Sequence, residues 1–278
     1  MPRAGFKAIL HPTDFSHLSG LAFAHALRIA VASKAKLHVI HVTPQEPNIA
    51  LAFPHARRLL AQWGFCDDAD TPSTIARKLG VSVYNTRIRS REPVQAILQV
   101  LRDTHFDLVV LATQGGKGIT RWLKGSVAEL IARHARAPTL FVAPGTRPFI
   151  RQVTGDIQIR HAIVPIDSLA NAARAIALAK RVGDLLAGAD ITLDLLHVGR
   201  SVPPLPAKSS KSAHLPPVML RAGGIVKTIV DTAIEFDADF IAMATAGHRS
   251  ALDPLLGSTT ERVVRHAPCP VFAIPRSF

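Results

Sequence analysis

The segment ATQGGKGITRWLKGS, residues 112–126, places four glycines and three cationic side chains directly after an apolar run. Glycine lets the backbone approach a phosphate closely, and the amides at the N-terminus of a following helix can bind an anion. The segment is not a Walker A loop, because Gly118 rather than Ser or Thr follows Lys117. Taken alone, it is equally typical of a phosphate cradle and of a tight strand-to-helix turn.

The chain contains an internal duplication, which strengthens the phosphate hypothesis. Four blocks recur in the same order, and the glycine segment belongs to the third and fourth of them. Both copies contain a glycine followed by nine residues and then Gly-Ser, at Gly115 and Gly125-Ser126 and again at Gly247 and Gly257-Ser258. The paired blocks are KAILHPTDFSHLSGLAFAHALRIA and HAIVPIDSLANAARAIALAKRV, LHVIHV and LDLLHV, FDLVVLATQGG and ADFIAMATAGH, and GSVAELIARHARAPTLFVAP and GSTTERVVRHAPCPVFAIP.

The elements around these loops have the pattern of an α/β protein. In each copy short Val/Ile/Leu-rich runs alternate with longer Ala-rich stretches of helical period, which indicates parallel strands joined by crossover helices. The glycines follow the fourth strand of the copy, so they are not the dinucleotide fingerprint that follows a first strand. For the first copy we predict strands near 6–11, 36–42, 82–88, 107–112 and 138–142 and helices near 17–33, 50–62, 72–79, 92–104 and 124–135.

The duplication also predicts the domain organisation. We expect one domain over 1–147, a linker over 148–157 and a second domain over 158–278. The second copy is shorter, since 49 positions separate Val198 from Gly247 where 73 separate Val42 from Gly115. About one helix is therefore missing, and a Pro/Ser/Lys-rich loop over 199–217 takes its place before a short third strand, VMLRA.

Composition limits the classes of protein. A hydrophobic content of 48% favours well-filled cores, and charged and histidine side chains interrupt the most apolar long stretch, residues 18–42, so no transmembrane helix is expected. Two cysteines and the lack of a secretory leader favour a reducing cytoplasm. The formal charge is +13, with 19 Lys and Arg against 9 Asp and Glu in residues 1–150 and 14 against 11 in residues 151–278. Aromatic content of only 5% argues against a nucleic-acid platform.

The four repeated blocks resemble the universal stress protein (UspA-like) family in its tandem two-domain form. The resemblance covers nearly the whole chain and implies two Rossmann-like domains, each an open, mainly parallel five-stranded sheet flanked by helices, packed as a pseudo-dimer through their fifth strands. Nucleotide-binding members carry Gly-x2-Gly-x9-Gly-Ser/Thr after the fourth strand, an Asp after the first strand and an apolar residue ending the second. In this chain Ala112 and Ala244 stand where the motif has its first glycine.

The resemblance implies a binding site for ATP, or AMP or ADP, in each copy, with no metal beyond incidental Mg²⁺. The acidic residue would accept hydrogen bonds from ribose or adenine, the apolar residue would border adenine, and the loop would surround the phosphates. Three cations in the first loop favour the first site for a triphosphate. The implied residues are Asp14, Val42, Ala112, Gly115, Gly118, Gly125, Ser126 and Val127 in the first copy, and Asp167, Val198, Ala244, Gly247, Gly257, Ser258 and Thr259 in the second.

Other groups that could do chemistry have simpler interpretations. His38 and His41 should point to opposite faces of one strand and cannot share a metal ion, and His266 with Cys269 supplies too few ligands for zinc. Arginines 87, 89 and 91 could bind phosphate or an acidic protein, but such residues more often form a solvated strand end. No catalytic motif accompanies either loop.

The sequence therefore predicts a cytoplasmic, ATP-binding stress-response protein that acts without a dedicated enzymatic step. ATP would order the 115–125 loop and change the surface that an unidentified protein partner contacts. Two alternatives stay open: a nucleotide-free interaction module that uses the basic first half, and a weak ATPase or autophosphorylating protein. The pseudo-dimer could also associate further as a homodimer.

Overall fold

The computed structural model describes residues 5–44, 55–113, 127–167, 169–188, 191–201, 216–245 and 258–275. Every strand and helix predicted for the first copy is present there to within a few residues, the helix expected over 50–62 being described from Ala56. The first half contains β1 (Ala8–Pro12), α1 (His17–Ser33), β2 (Lys36–Thr43), α2 (Ala56–Gln62), α3 (Pro72–Leu79), β3 (Ser82–Arg89), α4 (Pro93–Asp103), β4 (Leu108–Ala112), α5 (Val127–His134) and β5 (Thr139–Val142). The second half contains β6 (His161–Pro165), α6 (Leu169–Leu186), β7 (Thr192–Val198), β8 (Val218–Arg221), α7 (Ile225–Glu235), β9 (Phe240–Ala244), α8 (Ser258–His266) and β10 (Val271–Ile274).

The ten strands of the described residues form one sheet in the order β3-β2-β1-β4-β5-β10-β9-β6-β7-β8. Strands within each half run parallel, and the halves meet where β5 pairs antiparallel with β10, for example at Phe141 and Val271. This arrangement confirms the two Rossmann-like halves and their pseudo-dimer. Because the central pair is antiparallel, the carboxyl ends of the first-half strands lie at one edge of the sheet and those of the second half at the opposite edge.

Helices cover both faces of the sheet, and each face has a core that runs through both halves. One core joins α1, α2, α3 and α6 to the sheet, and the other joins α4, α5, α7 and α8 to the opposite face. The inner strands are consequently apolar on both sides: β5 and β10 are buried along their whole length. This double burial explains why the strands appear in the sequence as continuous Val/Ile/Leu runs.

Two helix starts follow rules visible in the sequence. Thr71 accepts a hydrogen bond from the amide of Thr74 and is followed by Pro72 in the first turn, which confirms the predicted start of α3. Ser16 does the same for α1 by accepting from the amide of Ser19 at 3.1 Å. The cap at Ser16 fixes where α1 begins relative to the end of β1.

The segment between the halves is folded, and part of it is buried. Ile150 pairs with Ile157 in an antiparallel bridge, and the indole of Trp63 donates to the carbonyl oxygen of Gln152 at 3.0 Å. Phe149 is 1% exposed. Its ring lies edge-on to His25 in α1 and also contacts Phe240 and Phe272 of the second half. The segment therefore joins the cores of the two halves in addition to connecting them.

Matched arginines connect each half to the rest of the structure, one to the segment between the halves and the other to the opposite half. Arg28 in α1 and Arg181 in α6 occupy equivalent positions in the duplicated blocks. The Arg28 side chain donates from Nε to the carbonyl oxygen of Gly155, and Arg181 lies 4.0 Å from the centre of the Phe6 ring in the other half. Partial burial lowers the pKa of both guanidinium groups, although both stay charged at neutral pH.

The second half has the predicted short third strand, β8, in parallel register with β7. The described residues between these strands, up to 201 and from 216, contain no helix, and the rest of the expected loop lies outside the described ranges. Among the described helices none is long and apolar enough to cross a membrane.

Candidate functional site

In each half the strand order reverses beside the first strand, because the next two strands lie on one side of it and the last two strands lie on its other side. β1 lies between β2 and β4, and β6 lies between β7 and β9. Pairing of β1 with β4 covers only Ile9–Leu108 and Leu10–Val109, so the two strands separate before their carboxyl ends. Such a separation opens a crevice at the carboxyl edge, where open α/β sheets bind ligands. We call the one at the ends of β1, β2 and β4 the first crevice, and its counterpart at β6, β7 and β9 the second crevice.

Three predicted residues lie at the strand ends around the first crevice. Asp14 follows β1 by two residues and is exposed, Val42 is half-buried at the end of β2, and Ala112 is the last residue of β4. Pro12 pairs with Ile40, which brings Asp14 level with Val42 along the sheet. The Asp14 carboxylate accepts a hydrogen bond from the amide of Ser16 at 3.0 Å. The topology thus brings an acidic, an apolar and a small residue to neighbouring strand ends.

The second crevice repeats this arrangement. Pro165 pairs with Leu196, so exposed Asp167 is level with half-buried Val198 in the same way. Ala244 is the last residue of β9. Two further predicted residues open helix α8, Ser258, which is exposed, and Thr259, which is half-buried.

The glycine loops themselves lie outside the described residues. Val127, the first residue of α5, is 40% exposed and marks where the first loop meets its helix. The predicted loop residues that are not described are Gly115, Gly118, Gly125 and Ser126 in the first copy and Gly247 and Gly257 in the second.

In each half one histidine, which the sequence reasoning did not assign to the site, holds the acidic turn. His41 Nδ1 donates to the carbonyl oxygen of Thr13 at 2.8 Å, and His197 Nδ1 donates to that of Ile166 at 2.9 Å. In both halves the bonded carbonyl belongs to the residue before the aspartate. The sequence signal that could have identified these histidines is the dipeptide His-Val, which lies at the end of the second strand in both copies.

The turn after β1 has further supports. The amide of Thr13 donates to the carbonyl oxygen of Ile40 at 2.8 Å, which extends the β1–β2 ladder past the last strand residue. Phe15 adopts a left-handed backbone with φ 62°, and its ring packs on that of His41 at 4.2 Å between centroids. Backbone and ring contacts together fix the position from which the Asp14 side chain extends.

Metal chemistry finds no support in the part of the chain that the structure describes, which contains no group of three or more His, Cys, Asp or Glu able to hold an ion. His38 stacks on Tyr84, whereas His41 bonds to Thr13, so the two histidines have separate surroundings. Cys269 is fully buried, and burial raises the pKa of its thiol to about 12. That thiol is a small core residue.

The residues at the first crevice are suited to recognising a ligand. A carboxylate can accept hydrogen bonds from hydroxyl or amino groups, an apolar side chain beside it can cover a flat ring, and the opening of α5 can face an anion.

Comparisons with known proteins point to one family. The sequence model of the universal stress protein family matches residues 5–143 and 214–275. A universal stress protein of Methanocaldococcus jannaschii is 29% identical over 140 residues, which make up 49% of this chain and 82% of that protein. The crystal structure of a universal stress protein from Archaeoglobus fulgidus superposes with a TM-score of 0.63 at 19% identity, covering 97% of this chain and 96% of the other. The structural likeness shows the fold, and the sequence match covers both copies.

Proposed function

This chain belongs to the universal stress protein family, and we propose that it binds ATP, or the related AMP or ADP, in its first crevice. Bound nucleotide would signal stress to a partner protein without a dedicated enzymatic step. The chain would thus act as a sensor or adaptor whose two halves form one particle.

The observation that carries the proposal is the placement of Asp14 and Val42. Asp14 follows β1 where that strand separates from β4, and Val42 lies at the carboxyl end of β2 on the other side of β1; the register puts the two residues level with each other. An exposed carboxylate at this position can accept from ribose hydroxyls or the adenine amino group, while Val42 offers an apolar surface to the base. The same pair recurs in the second crevice as Asp167 and Val198.

The alanine at the end of β4 is compatible with this site. Ala112 is half-buried and packs against the core that contains α1, so part of its methyl surface is already covered by protein. An alanine adds one methyl group to the strand end where nucleotide-binding relatives carry glycine. A methyl group of this kind narrows a crevice without adding charge or polarity.

Titration calorimetry with ATP on matched aspartate variants tests the proposal. Asp14→Asn keeps the size of the side chain and removes its charge, and Asp167→Asn does the same in the second crevice. Loss of a hydrogen bond to a charged group should weaken ATP binding by Asp14→Asn roughly tenfold or more. The exposed position of Asp14 makes a large effect on folding unexpected.

The outcome of this pair separates the crevices. Asp167→Asn should leave the tighter binding event unchanged if the first crevice is the nucleotide site. The absence of saturable binding up to millimolar ATP in the unaltered protein would refute the proposal, and a loss confined to Asp167→Asn would move the site to the second half.

A second function is favoured by the charge distribution. Residues 1–150 carry 19 Lys and Arg against 9 Asp and Glu, a surplus suited to an acidic protein partner that needs no nucleotide. Binding of this kind weakens steeply as salt rises. A partner interaction that ignores ATP and disappears between low and physiological salt would support this alternative, and phosphate release abolished by Ser126→Ala would instead indicate weak ATPase activity.

A further inference from the structure

A line of buried polar side chains runs behind the first crevice. It begins where β1 and β4 separate: pairing stops at Leu10 and Val109, and the next β1 residue, His11, reaches across the gap to the carbonyl oxygen of Val110 at 3.0 Å from Nδ1. His11 Nε2 lies 3.4 Å from Ser19 Oγ in α1, and Ser19 Oγ lies 2.9 Å from Thr13 Oγ1. The side chain of His11 therefore bridges strands that the backbone no longer connects.

The partners and a neutral His11 ring together give one consistent set of directions for the hydrogen bonds in this line. A carbonyl oxygen only accepts, so His11 Nδ1 must carry the proton and donate to Val110. Burial lowers the pKa of His11 to about 4, which leaves the ring neutral at pH 7 and makes Nε2 an acceptor for the Ser19 hydroxyl. Ser19 then accepts from the Thr13 hydroxyl, and Thr13 Oγ1 accepts from the amide of Phe15 at 3.1 Å.

The last hydrogen bond of the line holds the strained backbone at Phe15. Phe15 has φ 62°, a left-handed conformation that residues other than glycine adopt at a cost in energy. Its amide is bound by Thr13 Oγ1, and Asp14 stands between these two residues. Fixing Thr13 and Phe15 on either side fixes the peptide units that carry the Asp14 side chain.

The second half lacks the whole line. The equivalents of His11, Thr13 and Ser19 in the duplicated block are Val164, Ile166 and Ala172, all apolar and buried. Two supports are present in both halves. In the second half the amide of Ile166 donates to the carbonyl oxygen of Leu196, and His197 Nδ1 donates to the carbonyl oxygen of Ile166. The two crevices thus have the same strand ends but different supports behind them.

We propose that His11, Ser19 and Thr13 are positioning residues that hold the Asp14 turn in its binding geometry and so make the first crevice the tighter nucleotide site. The affinity part of this inference rests on the proposed function, whereas the positioning part does not. A preorganised turn loses less conformational freedom when a ligand binds, and the gain appears as affinity.

Matched substitutions at Thr13 test the positioning without any nucleotide. Thr13→Val keeps the size and removes the hydroxyl, while Thr13→Ser keeps the hydroxyl and removes a methyl group. Native-state amide exchange followed by NMR should show faster exchange of the Phe15 amide in Thr13→Val, by about tenfold for the loss of one hydrogen bond, and no such change in Thr13→Ser. The amide of Thr74, which is bound by the Thr71 hydroxyl at the start of α3, is the internal reference and should exchange at the same rate in all three proteins.

The nitrogen shifts of the His11 ring give an independent check in the same samples. They should show a neutral ring protonated on Nδ1 at pH 7. A ring protonated on Nε2, or unchanged Phe15 exchange in Thr13→Val, would overturn the inference, because the directed line would then not exist or would not hold the turn.

ATP affinity measured in an Asp167→Asn background tests the second part. Thr13→Val should weaken binding about five- to tenfold, by the same reasoning from one lost hydrogen bond, and Thr13→Ser should bind like the parent. His25→Leu is the matched control for a buried histidine in the same half: His25 bonds to the carbonyl oxygen of Leu21 within α1 and belongs to no part of this line, so its substitution should not change affinity.

The two measurements distinguish the possible failures. If the parent protein binds no ATP, the proposed function and the affinity part fail together, and the exchange result still decides the positioning. If exchange rises in Thr13→Val while ATP affinity stays equal, the line supports the turn but does not determine nucleotide affinity. If His25→Leu and Thr13→Val weaken ATP equally, the effect is general loss of stability and the inference is wrong.

Discussion

Replacing His25 by leucine should reduce the acid sensitivity of the fold. The side chain is completely buried in α1, donates from Nδ1 to the carbonyl oxygen of Leu21 at 2.8 Å and lies edge-on to Phe149. Burial lowers the pKa of His25 from 6.5 to about 4. The equivalent residue of α6 is Leu178, which is buried in the same core, so leucine fits the space at this helix position but loses the bond that His25 Nε2 accepts from the amide of Ile150 at 3.4 Å.

The sign and size follow from proton linkage. Between pH 7 and pH 5 the unfolded chain takes up a proton on this histidine and the folded chain does not, so the free energy of unfolding falls as the pH falls. With a pKa of 6.5 in the unfolded chain and about 4 in the folded chain, the free energy of unfolding falls by about 2 kcal/mol between pH 7 and pH 5 and by about 3 kcal/mol between pH 7 and pH 4. His11, whose pKa is lowered to about the same value, contributes a second loss of similar size.

Urea unfolding at pH 7, 6 and 5, analysed by linear extrapolation, measures these differences. His25→Leu should lose about 2 kcal/mol less than the unaltered protein between pH 7 and pH 5. Leu27→Ala is the control, because it removes buried apolar volume from the same helix and should lower stability by about 2–5 kcal/mol at every pH without changing the pH dependence. Parallel pH curves for His25→Leu and the unaltered protein would refute the reasoning.

Three further outcomes are expected. Gly155→Ala should lower the melting temperature more than Gly145→Ala. Both positions have positive φ, but a Cβ at Gly155 would lie 2.5 Å from the Trp63 ring, whereas a Cβ at Gly145 meets nothing within 4 Å. Equal losses would contradict this. Phe149→Ala should cost about 3–5 kcal/mol in urea unfolding, and a loss below 1 kcal/mol would mean that the segment does not join the two cores. A thiol reagent at pH 8 should leave Cys269 unmodified until the protein unfolds, because burial raises its pKa to about 12.

The strands and most helix bounds could be predicted because local signals and tertiary burial agree. Central strands covered on both faces must be apolar at every position, and the helix that begins at Pro72 carries its own start signal in Thr71. The duplication supplied the order of elements twice. The resemblance to the universal stress protein family then implied that Asp14, Val42 and the glycine loop belong to one site.

The segment between the halves was harder to predict. Its glycine, proline and charged residues are those of a linker, and nothing local shows that Phe149 will be buried. That burial depends on rings from α1 and from two strands of the other half, which are distant in the sequence. Composition alone cannot distinguish a linker that is solvated from one that closes a core.

The polar line behind the first crevice could not be predicted from the sequence, for a related reason. His11, Thr13 and Ser19 meet only because the chain turns sharply between β1 and α1, and that turn requires a left-handed Phe15. Phenylalanine is an unusual residue for such a backbone, so its presence predicts no turn of this kind. The comparison of the two copies, position by position, is the one sequence observation that marks these three residues as different.

The antiparallel pairing of β5 with β10 joins two parts of a single polypeptide. Two separate chains making the same contact would come apart on dilution, because their association depends on concentration. Here the connecting segment keeps the partner strands at an effective concentration on the order of millimolar or above. The particle therefore keeps both crevices, one on each of two opposite edges of the sheet, whether the cell makes few copies of this chain or many.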